Sequence, residues 1–302
     1  MGRGLGVNAN VTVNQESLKG LFSIRNPNFN NSDKSAHFSI EASETDRLTN
    51  SGYKMNKTGF NFGTNFEYLD DFALGFSSSS FFEKIETNST ASDRQKAQKG
   101  NYFDSFLSVN FDYDKRNQKF QTSKGFRSLY DLKIPIVSDT NTLTNYYSYK
   151  YFTELYENNI SSLSYLFKSV NSISNDDVKL SERAFIPSNR LRGFESGKVG
   201  PKDGDDYIGG NFVTALNFSS TLPFILENSQ NTDFLIFLDA ANIWGVDYNS
   251  SLDDNKKIRS SIGIGVDWFT PVGPLNFSLS QVLSKNKTDS TESFRFNLGT
   301  TF

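Results

Sequence analysis

Few side chains in this sequence could carry covalent chemistry. It has no cysteine and a single histidine, His37, which excludes thiol catalysis, disulfides, Cys-ligated zinc and multi-histidine metal sites. His37 shares an alternating face with Ser35, Ser39 and Glu41, opposite Ala36, Phe38, Ile40 and Ala42, so it reads as a polar inward residue. An esterase-like triad would need that histidine beside a nucleophilic serine, and no motif supports one. The acidic pairs Asp70-Asp71, Asp176-Asp177, Asp205-Asp206 and Asp253-Asp254 fall in turns or loops, where solvation is the default and calcium binding a minor alternative. Asp267 differs: it alternates with Ile262, Ile264, Val266 and Trp268, and so turns away from an apolar face. The period does not place Asp239, because Leu235, Phe237 and Ala241 share its face while Phe234, Ile236 and Leu238 occupy the other. The remaining chemistry is non-covalent. No enzyme activity, cofactor or metal is expected. With Lys+Arg 31 against Asp+Glu 34, net charge −3, no global basic field recruits nucleic acid.

The elements that hold these residues are strands. The chain of 302 residues carries 29 Phe, 13 Tyr and 2 Trp, yet its mean hydropathy is −0.50. Aromatics set in a polar, Asn- and Ser-rich chain argue for many half-buried strands rather than one thick core. The dominant period is two: Leu5, Val7, Ala9, Val11 and Val13 alternate with Gly6, Asn8, Asn10 and Thr12, and Phe294, Phe296, Leu298, Thr300 and Phe302 with Arg295, Asn297, Gly299 and Thr301. No useful 3.6-residue period occurs. Breakers between the runs give about fourteen strands: 4–13, 18–28, 34–44, 58–66, 72–84, 101–113, 125–136, 143–156, 160–173, 208–222, 233–244, 258–269, 274–283 and 293–302.

Taken alternately, one set of connections is mostly short (such as 67–71 and 270–273), while the other includes 45–57, 85–100, 174–207, 245–257 and 284–292. Short turns on one side and long loops on the other is the asymmetry of an outer-membrane barrel. An even strand count puts both ends on the short-turn, periplasmic side. No apolar run approaches the ~20 residues of a membrane helix, and Met1-Gly-Arg-Gly-Leu5 has no apolar segment of a signal peptide. That combination points to a cytoplasmic protein or to a piece of something longer, and the strand pattern favours the second. A solenoid would show a fixed repeat, and a soluble sandwich should bury aliphatic cores. The expected fold is therefore all-β: one transmembrane antiparallel β-barrel domain over residues 1–302.

The C-terminal third carries an ordered set of short motifs: Arg190-Leu191-Arg192-Gly193-Phe194 in the longest loop, Val199-Gly200-Pro201-Lys202, Ile208-Gly209-Gly210-Asn211, Phe237-Leu238-Asp239, Asp267-Trp268-Phe269-Thr270-Pro271-Val272-Gly273, and a terminal Phe294-Arg295-Phe296 leading to Phe302. In this order the chain resembles the BamA-type outer-membrane protein assembly factors of the Omp85 superfamily. The likeness is sharpest over 120–302 and weaker upstream through Asn26-Pro27-Asn28-Phe29. Gly2-Arg3-Gly4 resembles the turn after that family's second barrel strand. The resemblance then implies a sixteen-stranded barrel missing its POTRA domains and first two strands. The chain would be a truncated product or barrel fragment, with seam strands running from Gly4 to Val13 and from Phe294 to Phe302.

The resemblance also implies a site. Loop 174–207 would fold into the lumen, its Arg192 guanidinium meeting an inward carboxylate. Asp239 matches the family's Phe-x-Asp motif, and a carboxylate facing lipid mid-strand is penalised, so the lumen is its expected side; Asp267 is the second candidate partner. Gly193 would allow the turn and Phe194 would pack on the wall, after Leu191. The implied function is folding and insertion of outer-membrane proteins, with the lipid bilayer, unfolded outer-membrane proteins and accessory lipoproteins as partners. A secretion pore of the same superfamily and a passive porin-like barrel are the alternatives.

Overall fold

The computed structural model describes residues 4–14, 16–119, 121–174, 176–225, 231–254, 257–270 and 273–298. Fourteen strands form one antiparallel sheet in chain order: β1 (Gly6–Val13), β2 (Ser17–Asn26), β3 (Ser35–Arg47), β4 (Tyr53–Leu69), β5 (Phe72–Thr87), β6 (Gly100–Asp114), β7 (Gly125–Ser138), β8 (Thr142–Thr153), β9 (Ser161–Ser172), β12 (Phe212–Thr221), β13 (Thr232–Trp244), β14 (Arg259–Thr270), β15 (Gly273–Ser284) and β16 (Phe294–Leu298). Between β9 and β12 a separate two-stranded hairpin joins β10 (Lys202–Asp203) to β11 (Asp206–Tyr207). Among the described residues no helix is long and apolar enough to cross a membrane.

Period two gives the sheet two chemically different faces. Ile236, Leu238, Ile262, Ile264, Trp268, Leu216 and Leu163 are exposed on one side; Leu235, Phe237, Asp239, Ala215 and Asp267 are buried on the other. Side chains of adjacent strands meet in aromatic ladders such as Phe72–Phe111–Tyr130, with centroids 6.4 and 6.1 Å apart. The sheet curls around the β9–β12 connection, because that one segment touches strands far apart in order. Lys179 pairs with Glu83 of β5 and Asp104 of β6, Arg192 with Asp239 of β13, and Arg295 of β16 donates to the Ser188 and Phe194 carbonyls. The face these contacts define is the inner one. Its apolar core joins Val178, Ile186, Leu191, Phe194 and Val199 of the segment to Leu166, Val170, Val213, Ala215, Ala241 and Ile243 of the wall.

Several strands run longer than the hydropathy alternation. Strand β4 spans Tyr53–Leu69 rather than 58–66 and β3 continues to Arg47, which shortens the expected loop 45–57 to 48–52. The apolar pattern stops where the strands leave the apolar belt, but the backbone ladder continues. Polar cross-strand pairs support it there, such as Lys54 Nζ to Glu44 Oε1 at 2.7 Å. In the opposite sense, 208–211 lie outside β12, and Gly210 bridges to Ala184 in the loop. A one-turn helix α1 (Asp93–Ala97) in the β5–β6 connection has no apolar period; its signal is the capping box, in which Ser92 Oγ accepts from Gln95 N and Gln95 Oε1 from Ser92 N.

Gly6 opposite Arg25 and Leu298 opposite Leu275 place both described ends on the short-turn side. Among the described residues β1 pairs only with β2 and β16 only with β15, so no ladder joins Gly6–Val13 to Phe294–Leu298. Gly4 precedes β1 and is exposed, Val13 and Phe294 are strand termini, and Phe302 lies outside the described residues.

Candidate functional site: a lumenal arginine clamp

The register of the C-terminal wall builds the site one cross-strand row at a time. Lys150 of β8 stands opposite Ser164 of β9, Ser164 opposite Asn217 of β12, Asn217 opposite Asp239 of β13 and Asp239 opposite Ser261 of β14. This row is polar throughout and faces inward. Above it, toward the long loops, the rows are apolar: Leu166, Ala215 and Ala241, then Val213 and Ile243. The β9–β12 segment packs its own apolar side chains on those upper rows, which brings Arg192 down to the polar one.

There Arg192 Nε and Nη2 donate to the two oxygens of Asp239, each at 2.7 Å, in a bidentate fork. The Arg192 backbone N donates to Asp239 Oδ2 at 3.0 Å, and Asn217 Nδ2 to Asp239 Oδ1 at 2.9 Å. Asp239 thus accepts four hydrogen bonds while its side chain is 0% exposed. Each bond is charge-assisted, and together they offset the desolvation that would otherwise expel a buried carboxylate. The guanidinium lies over the Phe237 ring, 3.5 Å from centroid to Cζ, a stacking geometry suited to arginine's planar charge. Phe237 needs room, and Gly263 opposite it supplies that room: a Cβ there would stand 2.4 Å from the ring and 2.2 Å from the Leu279 carbonyl. Ser261 Oγ donates to the Arg192 carbonyl.

The neighbouring loop residues serve the same clamp. Gly193 sits at φ +89°, and a Cβ would touch that of Ser280 at 3.0 Å, so only glycine turns here without strain. Leu191 and Phe194 are buried in the apolar core. After Phe194 the loop pairs with the connection into β16 through Glu292 N to Gly193 O, Glu195 N to Ser290 O and Ser290 N to Lys198 O.

Asp267 is not a partner of Arg192 by any hydrogen bond or ion pair described. It faces inward but sits six residues further along β14 than the row containing Asp239, roughly 20 Å at the rise of a strand. Its carboxylate accepts from Asn276 Nδ2 at 2.6 Å and lies opposite Asp233. The expectation that Asp267 is a second carboxylate partner of the guanidinium is corrected by depth: the period fixes the face of a side chain, not its level. His37, also on the polar face, meets Asn61 Oδ1 at 2.9 Å and no serine nucleophile.

Further ionic contacts invisible in the motifs hold the same loop. Lys179 Nζ, 1% exposed, lies 2.6 Å from Glu83 Oε2 and also contacts Asp104. Arg183 pairs with Asp247 of the β13–β14 connection. Burial alone would raise the Asp247 carboxyl, but the Arg183 guanidinium and the Val178 N–H hold it below the usual carboxylate range. Buried Arg259 joins Asp254 to Asp289, whose Oδ1 accepts from Gly200 N, so three long connections share one arginine. These residues carry no local sequence signal, because their partners lie up to 96 positions away, as Lys179 does from Glu83. Asn217 carried no signal beyond its strand, and Phe237 was legible as the first residue of the Phe-x-Asp motif but not as the platform of the guanidinium. Among the described residues no group of three or more His, Asp or Glu could hold a metal ion.

The arrangement is a mechanical clamp, its hydrogen bonds joining the loop to the inner wall of the sheet. Comparison with known proteins agrees in fold. An Omp85 superfamily domain matches residues 1–302. The outer membrane protein assembly factor BamA of Neorickettsia risticii is 25% identical over 256 residues, covering 83% of this chain and 34% of that protein. BamA of Neisseria meningitidis serogroup B is 31% identical over 141 residues, covering 37% of this chain and 17% of that protein. This chain therefore spans about a third of the length of the first of these relatives and less of the second. The crystal structure of BamA from Haemophilus ducreyi lacking POTRA domains 1–3 superposes with TM-score 0.87 at 21% identity, covering 97% of this chain and 64% of that one. With a match across all of its residues, the chain belongs to the Omp85 superfamily.

Proposed function

We propose that this chain is the barrel portion of an outer-membrane protein assembly factor, which folds β-barrel proteins and inserts them into the bacterial outer membrane. The observation that carries the reading is the clamped loop. Leu191, Arg192, Gly193 and Phe194 fix the β9–β12 segment on the inner face of the C-terminal wall, inside the space a porin would keep open as its channel. Relatives similar to this chain are named as assembly factors. The outward belt of Leu163, Leu216, Ile236, Leu238, Ile262 and Ile264 suits an integral place in the bilayer.

The work asked of such a barrel is non-covalent, with no cofactor and no enzyme chemistry. Pairing of a strand edge with an incoming strand would satisfy backbone groups that lipid cannot, while the barrel disturbs the bilayer locally. In the whole protein the partners would be unfolded outer-membrane proteins and accessory lipoproteins, and a single barrel domain with loop 174–207 in its lumen would do the work. To test this, the whole protein carrying this barrel is placed in vesicles and given a urea-unfolded barrel protein. Folding is followed by heat-modifiable mobility. Faster folding than in empty vesicles, with near-closed or flickering conductance, is expected. Steady large conductance steps without faster folding would establish the porin alternative, and passage of an unfolded chain into the vesicle without insertion would establish the secretion pore.

A further inference from the structure

We propose that the β9–β12 segment is a strap across the unladdered seam of the sheet, with Tyr207 as the cross-tie that sets the spacing of the two margins at their long-loop end. The seam separates β1 from β16. Among the described residues no hydrogen bond or ion pair runs directly from β1–β4 and their turns to β14–β16 and theirs. The link runs through Tyr207 instead. Its backbone N donates to Asn50 O of the β3–β4 loop at 2.8 Å, and its hydroxyl donates to Thr288 O of the β15–β16 connection at 2.6 Å. Asn50 Nδ2 in turn donates to Glu16 Oε1 of the β1–β2 turn at 3.0 Å. Three hydrogen bonds therefore join the first hairpin of the sheet to the last, and the residue in the middle is buried.

The strap is held unequally at its two sides. Toward the last strands, Glu195 N donates to Ser290 O, Ser290 N to Lys198 O and Gly200 N to Asp289 Oδ1, while Arg295 donates to the Ser188 and Phe194 carbonyls. Toward the first strands, the Asn50 bond is supported by the Arg47 guanidinium, 4.7 Å from the Phe185 ring centroid and itself held by Glu16 at 2.9 Å. Tyr207 belongs to the β10–β11 hairpin, which has two residues in each strand, so its reach depends on contacts outside the hairpin. These are its own hydroxyl on Thr288 and the Tyr248 hydroxyl on Asp203 at 2.9 Å. A ladder ties two strands along their whole length; a strap fixes their distance at one end. Loss of the Tyr207 hydroxyl therefore lets the margins part at the long-loop end, while the Arg192–Asp239 clamp keeps the segment on the C-terminal wall.

This inference does not rest on the assembly reading, and its test needs no assembly activity. The chain has no cysteine, so spin labels attach only where one is introduced. The full chain, folded in vesicles, is labelled at Val13→Cys and Lys287→Cys, exposed positions at the long-loop ends of the two margins. Ser250→Cys with Lys287→Cys is the control pair within the C-terminal wall. Dipolar distance measurement should give a longer, broader Val13–Lys287 distribution in Tyr207→Phe and an unchanged control pair. Asp205→Ala, at the exposed hairpin tip, should leave both distributions as they are. Hydrogen exchange of the Tyr207 amide should quicken roughly five- to tenfold in Tyr207→Phe, the scale of one hydrogen bond. Glu16→Ala, at the other end of the relay, should lengthen the same Val13–Lys287 distance. Heat-modifiable mobility shows that each variant is folded, and should Tyr207→Phe fail to fold, Glu16→Ala decides. An unchanged Val13–Lys287 distribution in either folded variant, or an equal change in the control pair, overturns the proposal.

Discussion

Strands β1 and β13 read alike in sequence, each an alternation of apolar and small or polar residues, yet they end in opposite environments. Every residue of β1 is exposed, including Asn8, Asn10 and Thr12 on its polar face. In β13 the inward residues Leu235, Phe237, Asp239, Ala241 and Ile243 are all buried, with Asp239 at 0%. The difference lies in the β9–β12 segment, which lies on one wall and leaves the other bare. A strand's own pattern says which face turns inward; a distant loop decides whether that face is dry. Ionic pairs gain value in the same order. The exposed pair Lys84–Glu86 is worth little, while Arg192–Asp239 is sealed under Phe194 and the upper apolar rows.

The sharpest way to break this contrast is Asp239→Ala. It leaves the Arg192 guanidinium buried without its carboxylate and should cost about 3–5 kcal/mol, measured as the shift in a urea unfolding midpoint in vesicles. A double-mutant cycle with Arg192→Ala should show strong coupling; effects that add within ~0.5 kcal/mol would mean the two side chains act independently.

Lys179→Met removes the cation shared by Glu83 and Asp104, at the other end of the same loop. It should destabilise by a comparable 3 kcal/mol or so and speed protease cleavage between β9 and β12, leaving the β12–β14 wall paired. Gly263→Ala tests the platform beneath the arginine. Overpacking against Phe237 and the Leu279 carbonyl should cost roughly 1–3 kcal/mol, and pairing it with Phe237→Leu should recover part of the loss.

Acid provides a milder probe. The Asp247 carboxyl is depressed in the folded protein, so its pairing with Arg183 contributes fully above the ordinary carboxylate value of 3.8 and fades as pH falls below it. Loosening of the β13–β14 connection below that pH, read by amide hydrogen exchange, should vanish in Asp247→Asn. The smallest effect belongs to the bare wall: Asn10→Ala on β1 should change stability by less than ~0.5 kcal/mol. A larger loss would show that the inner face of β1 is covered after all.

Much of the fold was written in local pattern. The fourteen strands, their inward and outward faces and the parity that sets both described ends on the short-turn side follow from period two, because a pleated strand must alternate. The strand ends were less legible. In β3 and β4 the ladder outlasts the hydropathy signal, since backbone pairing needs no apolar side chain. Of the site, the residues Leu191, Arg192, Gly193 and Phe194 and the carboxylate Asp239 could be named from motifs and from the cost of a charge facing lipid. Asp267 satisfied the same argument about faces and still lies three inward rows too low.

The sequence by itself determined which side of the sheet each residue faces and which residues could clamp a loop. Only the tertiary structure decided which of them meet. Depth is the sum of strand registers around the sheet: Asn217 stands level with Asp239, Ser164 with Asn217 and Lys150 with Ser164 because three successive ladders fix them so. No local pattern encodes that sum. The contacts of Lys179 with β5 and of Arg295 with the loop carbonyls exist because the curled sheet brings remote stretches of chain to one place.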